Sequence, residues 1–323
     1  SAPGFLKQWH CGVYHKGENN VVKMVGFISA IPVHIFIHGK EVSKVEINFL
    51  CVKSNYRSKR LAPVLIKEIT RRVNLQGIWQ AVYTAGSLLP KPISVTNYYH
   101  RNLNLQKLLD VKFTYLNPKL NLARAKKIYS LAKEPSITFL RPMEKKDVEG
   151  VYFILENYLS KYKVRPYYSK NEVEHWFVPR KNIVYSYVVE NDEGIITDFI
   201  SFYLLPSSIL QHETHKTLYA AYSFFNIPGQ YTIKELIRNA LILAKQQNFD
   251  DHASLSAPIE DLQVRIAFLD DLVEQLNEQL AIQTQEIAIL KKQMQLLYRR
   301  VESSDLSEGI APFDPMSDKP PHY

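Results

Sequence analysis

The sequence predicts an α+β chain: two halves repeating one plan of mixed sheet with flanking helices, then a single long helix. Three observations lead there. Residues 21–52 and 184–227 hold runs that alternate apolar and polar side chains, separated by short turns such as His38-Gly39-Lys40 and Asn191-Asp192-Glu193-Gly194, the pattern of antiparallel strands. In each half these runs lead into a helix, so the order of elements over 1–130 returns over 131–250. From Leu262 onward the apolar residues fall alternately three and four apart, as in a coiled coil.

In chain order, strands are expected at 21–30, 32–37 and 42–52. In the last of these, Val45, Ile47, Phe49 and Cys51 share one face, and Glu46 and Asn48 the other. Arg57, Ser58, Lys59 and Arg60 then precede a helix that carries Leu61, Leu65, Ile69 and Val73 at four-residue spacing, with Pro63 early in it, where its missing N–H does little harm. A strand over 78–84 and a helix over 98–110 complete the first half. The second half begins with a strand at 137–140, a helix at 147–162 and a short helix at 172–176. Strands at 184–190, 196–205 and 219–227 and a helix at 232–247 follow. Residues 221–226 take the place that 45–51 hold in the first half.

Residues 251–258 read as a polar linker. The seam then runs through 262, 266, 269, 273, 276, 280, 287, 290, 294, 297 and 301, with Gln283 interrupting it, and predicts a coiled-coil helix over 259–302. At 1.5 Å per residue that helix is roughly 60 Å long. Its narrow stripe has nothing within the same helix to cover it, which predicts a homo-oligomer. Residues 303–323, rich in Ser, Asp and Pro, read as a disordered tail.

Composition narrows the function classes. The 323 residues are 46% hydrophobic and 12% aromatic, enough for two cores, and carry a net charge of +8. That charge is dispersed except around 53–72, which suits a small anionic ligand better than nucleic acid. Cys11 and Cys51 lie far apart, so no disulfide framework is expected and the chain reads as cytoplasmic. No apolar run reaches membrane-spanning length. His212 and His215 lack metal-ligand spacing, no metal or resident cofactor is expected, and the P-loop, dinucleotide and nucleophile-elbow motifs are absent.

The candidate site is therefore the strand, basic loop and helix over 45–72. Free backbone N–H groups, the positive end of the helix dipole and three cationic side chains converge there, which is chemistry for a pyrophosphate. A solvated basic turn is the plain alternative. Glu46 and Asn48, polar within an otherwise internal strand, call for hydrogen-bonding partners.

The strings GFISAIPV, EINFLC, RSKRLAPVLIKEITRRVNLQGIWQAVYTAG, LPKPI, YYHRNLN, LRPMEKKDV, EVEHWF, TDFISFYLLPSS and AAYSFFN, spread over 1–250, resemble the eukaryotic glycylpeptide N-tetradecanoyltransferase (N-myristoyltransferase) family. That resemblance implies two pseudo-repeated domains of the GCN5-related acetyltransferase type. It implies transfer of myristate from myristoyl-CoA, as acyl-donor substrate, to the N-terminal glycine of peptides and proteins. By position, it implies that the backbone N–H groups of Phe49 and Leu50 form an oxyanion hole. Leu50, Cys51, Val52, Arg57, Ser58, Lys59, Arg60, Leu61 and Ala62 would hold the acyl-CoA. Asn48, Tyr83, Thr84, Tyr98, His100, Ser207 and Tyr222 would surround the acceptor.

Where the family reads EINFLC-x-H-K, this sequence reads EINFLCVKS. The family's N-terminal portion and the C-terminal carboxylate that serves as its base lie outside the resemblance, which implies slow turnover. Residues 254–323, with RIAFLDD and a KPPHY ending, resemble the bacterial SlyX family, so the chain reads as a fusion. The alternative function is accordingly an inactive interaction protein that oligomerises through its coiled coil. Nucleic-acid binding by the basic helix is disfavoured by that helix's apolar stripe.

Overall fold

The computed structural model describes residues 2–17, 20–86, 92–118, 120–256 and 279–299. Its strands, in chain order, are β1 (His10–Lys16), β2 (Val22–Ile37), β3 (Lys40–Val52), β4 (Ala81–Val82), β5 (Asn97–Asn102) and β6 (Leu140–Pro142). After these come β7 (Val164–Tyr167), β8 (Val184–Glu190), β9 (Ile196–Ser208), β10 (Thr217–Ile227) and β11 (Asp251–Ser256). The helices are α1 (Leu61–Asn74), α2 (Leu105–Asp110), α3 (Leu122–Ile128), α4 (Val148–Ser160), α5 (Lys170–Phe177) and α6 (Ile233–Gln246).

The strands form two sheets. One has the order β1-β2-β3-β4 with β7 also on β2; the other has the order β5-β11-β10-β9-β8-β6. The repeat is visible in the pairing, because β3 is followed through α1 by the parallel β4, and β10 through α6 by the parallel β11. The halves also exchange strands. β5, from the first half, pairs with β11, and β7, from the second, pairs with β2. Each half is thus tied into the other's sheet.

Several expectations are corrected by these pairings. Residues 251–258, read as a linker, contain β11, whose Ala253 is fully buried between β5 and β10. Its small and polar residues fit a slot flanked by strands on both sides, which composition alone does not reveal. Residues 98–110, read as one helix, split into β5 and α2, and the Asn104 side chain caps α2 at Lys107 N–H. The strand expected over 78–84 shrinks to β4. The runs 21–30 and 32–37 are one strand, β2. Pro32 is tolerated within it because Val45, opposite, donates its N–H outward to Gln80 O at 3.2 Å, which leaves Pro32 in a pair that needs no N–H. β1 and α3 were not foreseen.

Apolar faces pack α1, α4, α5 and α6 into the cores. α1 sets Leu65, Ile69 and Val73 against Trp9, Ile28, Ala30 and Val45. α6 covers one face of the second sheet through Leu236, Ala240 and Leu241 on Ile200, Phe202 and Ala221. α4 and α5 cover the other with Val151, Leu155, Val173 and Phe177. Residues 279–299 are helical, and Leu280, Ile287, Leu290, Met294 and Leu297 of the expected seam are all exposed. The rest of the expected coiled coil (259–278 and 300–302) and the tail (303–323) lie outside the described residues.

One core residue carries a pH signature. His252 is 1% exposed beside Phe202, and neither ring nitrogen has a partner among the described residues. Burial, with a smaller contribution from His100, lowers its pKa from 6.5 to about 4. The unfolded chain therefore binds this proton where the folded chain does not, so stability falls as pH drops through the window from 6.5 to about 4. The loss amounts to on the order of 2–3 kcal/mol. His252→Phe is expected to raise the urea midpoint and flatten that acid limb; a limb of unchanged slope in the variant would exclude His252 as its source.

Candidate active site

The site begins with an irregularity in β3. The β2–β3 register runs from Ser29↔Asn48 to Phe27↔Cys51, so Phe49 and Leu50 together face the single residue Ile28. This is a β-bulge, and Phe49 occupies it at φ 59°. A non-glycine residue there costs on the order of 1–2 kcal/mol, so the surroundings must hold it. Ser29 Oγ helps by donating to Asn48 O at 3.2 Å. The bulge leaves Phe49 and Leu50 without register partners of their own and turns both side chains outward, to 77% and 44% exposure. It also reverses the alternation expected for this strand. Cys51 is exposed rather than internal, and Val52 packs against the first core.

A loop with a 3-10 turn over Ser54–Lys59 then carries the chain to α1. Arg60, at φ 55°, is the N-cap of α1, and neither a capping side chain nor an acidic residue occupies the first turn. The helix N-terminus is therefore bare and positive. Arg57 Nε is anchored to Val52 O at 3.2 Å, and Lys59 Nζ lies 4.7 Å from the centre of the Tyr56 ring. Ser58, Lys59 and Arg60 are exposed, and Leu61 and Ala62 half-buried, so the residues expected at the acyl-CoA lie along one continuous segment.

The residues expected around the acceptor form a second group, on the face of β3 opposite α1. Asn48 Nδ2 donates to Glu46 Oε1 at 3.1 Å. The charge of Glu46 reaches Tyr203, whose hydroxyl is pushed up to about 12 by burial first and then by Tyr98, Tyr222 and Glu46. Tyr203 meets Tyr222 at 5.8 Å between ring centres, and Tyr222 meets Tyr98 at 5.4 Å. His100, on the same face of β5 as Tyr98, joins its Nδ1 to Asp251 Oδ2 at 2.6 Å. The hydrogen bond to this buried carboxylate raises the His100 pKa, against the effect of burial, while burial raises Asp251 itself. Tyr83 and Thr84 are exposed directly after β4, where Val82 pairs with Glu46. Ser207 stands apart, farther along β9 than Tyr203 and opposite Leu218.

Asp251 and Tyr203 were missed by sequence reasoning. The Asp250-Asp251-His252 run was the available signal for the first, but it fell in the supposed linker. Among the described residues no group of three or more His, Cys, Asp and Glu could hold a metal ion, and no helix is long and apolar enough to cross a membrane.

Comparison with known proteins identifies the family and the fold. Residues 1–96 match the family model described as the N-terminal domain of myristoyl-CoA:protein N-myristoyltransferase, and residues 110–264 match its C-terminal domain. Residues 255–323 match SlyX. The chain is 50% identical over 249 residues to a probable glycylpeptide N-tetradecanoyltransferase of Caenorhabditis elegans, covering 77% of this chain and 55% of that protein. It is 48% identical over 270 residues to glycylpeptide N-tetradecanoyltransferase 2 of Bos taurus, covering 84% of this chain and 53% of that one. It thus spans about half the length of these curated relatives. A crystal structure of Saccharomyces cerevisiae N-myristoyltransferase with bound myristoyl-CoA superposes with a TM-score of 0.76 at 40% identity, covering 84% of this chain and 68% of that one. Bulge, bare basic helix terminus and tyrosine-lined face therefore lie in a chain that belongs to the N-myristoyltransferase family.

Proposed function

We propose that this chain transfers the myristoyl group of myristoyl-CoA to the N-terminal glycine of acceptor proteins. The observation that carries the reading is the Phe49–Leu50 bulge, followed by an uncapped basic helix terminus. In this reading the N–H groups of Phe49 and Leu50 donate to the thioester carbonyl oxygen and hold the oxyanion that forms as the amine attacks. Such a donor lowers the barrier by roughly 3–4 kcal/mol. Arg57, Lys59 and Arg60, with the first N–H groups of α1, take the pyrophosphate, and Leu50, Cys51, Val52, Ser58, Leu61 and Ala62 line the same donor. Asn48, Tyr83, Thr84, Tyr98, His100, Ser207 and Tyr222 position the acceptor. Two unpaired cysteines support a cytoplasmic setting.

The test is a transfer assay with labelled myristoyl-CoA and a glycine-initiated peptide, which is expected to yield the amide. In calorimetry, replacing Lys59 and Arg60 together by alanine is expected to weaken acyl-CoA binding by about tenfold or more. Equal affinity in that double variant would remove the phosphate role of the loop.

A second reading adds to the first. The exposed seam over 279–299 supports self-association, and light scattering is expected to give an oligomer that becomes monomeric when residues 259–323 are deleted. A monomer in both cases would refute it.

A further inference from the structure

Asp251 lies beneath the acceptor face and has no task in the reading above. It is fully buried on β11, with Asn102 of β5 and Ala220 of β10 as its register partners. Its Oδ2 takes His100 Nδ1 at 2.6 Å, and Oδ1 makes no hydrogen bond among the described residues. Besides His100, the His252 N–H makes a smaller contribution that favours the ionised carboxylate. The other titratable groups nearby do not compete for it. His252 is uncharged at neutral pH, Asp250 is paired with Lys107, and the Tyr222 hydroxyl is raised by burial. A carboxylate buried this deeply keeps its charge only with a cation against it. His100, whose pKa that hydrogen bond raises, is the cation. One proton lies between Nδ1 and Oδ2, and whichever atom holds it, the second ring proton stays on Nε2. Losing the second proton would leave a net negative charge inside the sheet, which burial of Asp251 opposes. Nε2 is thus a standing donor. The His100 side chain is 36% exposed and shares one row across the sheet with Ala253, Tyr222 and Tyr203.

We propose that Asp251 is a positioning residue that holds His100 with its Nε2–H toward the acceptor, so that this chain favours acceptors with a carboxylate side chain shortly after the N-terminal glycine. The inference rests on the transferase reading and names a substrate class for it. A carboxylate that accepts from an imidazolium makes a charge-assisted hydrogen bond. A carboxamide at the same place accepts a weaker one, and an ammonium is repelled.

Transfer kinetics on the full chain at neutral pH would use pairs of glycine-initiated peptides with aspartate or asparagine at successive positions after the glycine. At one position the aspartate peptide is expected to show a KM about tenfold lower than its asparagine counterpart, at similar kcat. Asp251→Asn keeps the shape of the side chain and still accepts from Nδ1, but leaves the imidazole neutral with no proton on Nε2. This variant is expected to lose the preference through KM and not through kcat; a merely structural defect would weaken both peptides equally. The double variant His100→Phe/Asp251→Leu leaves no unpaired buried charge and is expected to lose the preference too. A wild type that treats both peptides alike at every position, or either variant keeping the preference, overturns the role of Asp251 and leaves the transferase reading in place. A wild type that transfers to no peptide overturns both.

Discussion

Replacing Phe49 by valine is expected to lower myristoyl transfer by about two to three orders of magnitude, whereas Phe49→Gly keeps it within severalfold. The Phe49 side chain is 77% exposed, so neither substitution opens a core cavity. What differs is the backbone. Phe49 sits at φ 59°, a region that glycine enters freely and a β-branched residue strongly resists. Valine therefore drives the strand toward regular pairing, which would turn one or both of the Phe49 and Leu50 N–H groups back into the ladder with β2. Single-turnover rates at saturating acyl-CoA isolate this effect from binding. Equal rates for the valine and glycine variants would show that the bulge does not supply the oxyanion donors.

The second large effect is expected at Asp198, on stability. Its carboxylate is fully buried and accepts from three backbone N–H groups: Gly229 at 2.8 Å, Gln230 at 3.0 Å and Tyr231 at 3.0 Å. Asp198→Ala leaves all three without their acceptor at once, and is expected to cost about 3–5 kcal/mol in urea unfolding, with Asp198→Asn losing less. The turn also packs closely on the backbone of β9, where a Cβ added at Gly229 would come within 2.1 Å of Thr197 O. A loss no greater than that of an exposed Asp→Ala substitution would contradict this account.

Asp198 also shows why the two halves differ in chemistry. β10 has its own bulge, with Phe224 and Phe225 facing Ser201. Counted back along the partner strand from each bulge, Asp198 corresponds to the buried Val25. In the first half Val25 offers the following loop only its carbonyl, to Lys53 N–H at 2.9 Å, and the loop stays open. In the second, the Asp198 carboxylate takes up the N–H groups of the following loop. The second bulge is closed as well. Phe225 N–H donates to Ser201 Oγ at 2.9 Å, and both phenylalanines pack around Phe177. Calorimetry is thus expected to find a single acyl-CoA site.

Much of this was legible in the chain. The strands of the meander, the amphipathic α1 and α6, and the correspondence of 45–51 with 221–226 follow from local periodicity, and each appears in the fold close to where it was expected. The uncapped start of α1 was legible too, because Arg-Ser-Lys-Arg contains no strong capping residue directly before Leu61. The linker over 251–258 and the helix over 98–110 failed for a common reason. β11 and β5 are strands chiefly because they pair with each other, about 150 residues apart, and neither has a strong pattern of its own.

The sequence by itself determined the order of the meander strands and the amphipathic helices, the repeat and the basic segment that follows β3, since spacing and charge along the chain are local properties. Only the tertiary structure decided where alternation breaks at Phe49, which strands the halves exchange, that Asp251 lies under His100, and that Glu46 faces the tyrosines of the other half. Those features depend on strand register and on contacts between distant segments, and a one-residue shift in register reverses the face on which every side chain of a strand lies.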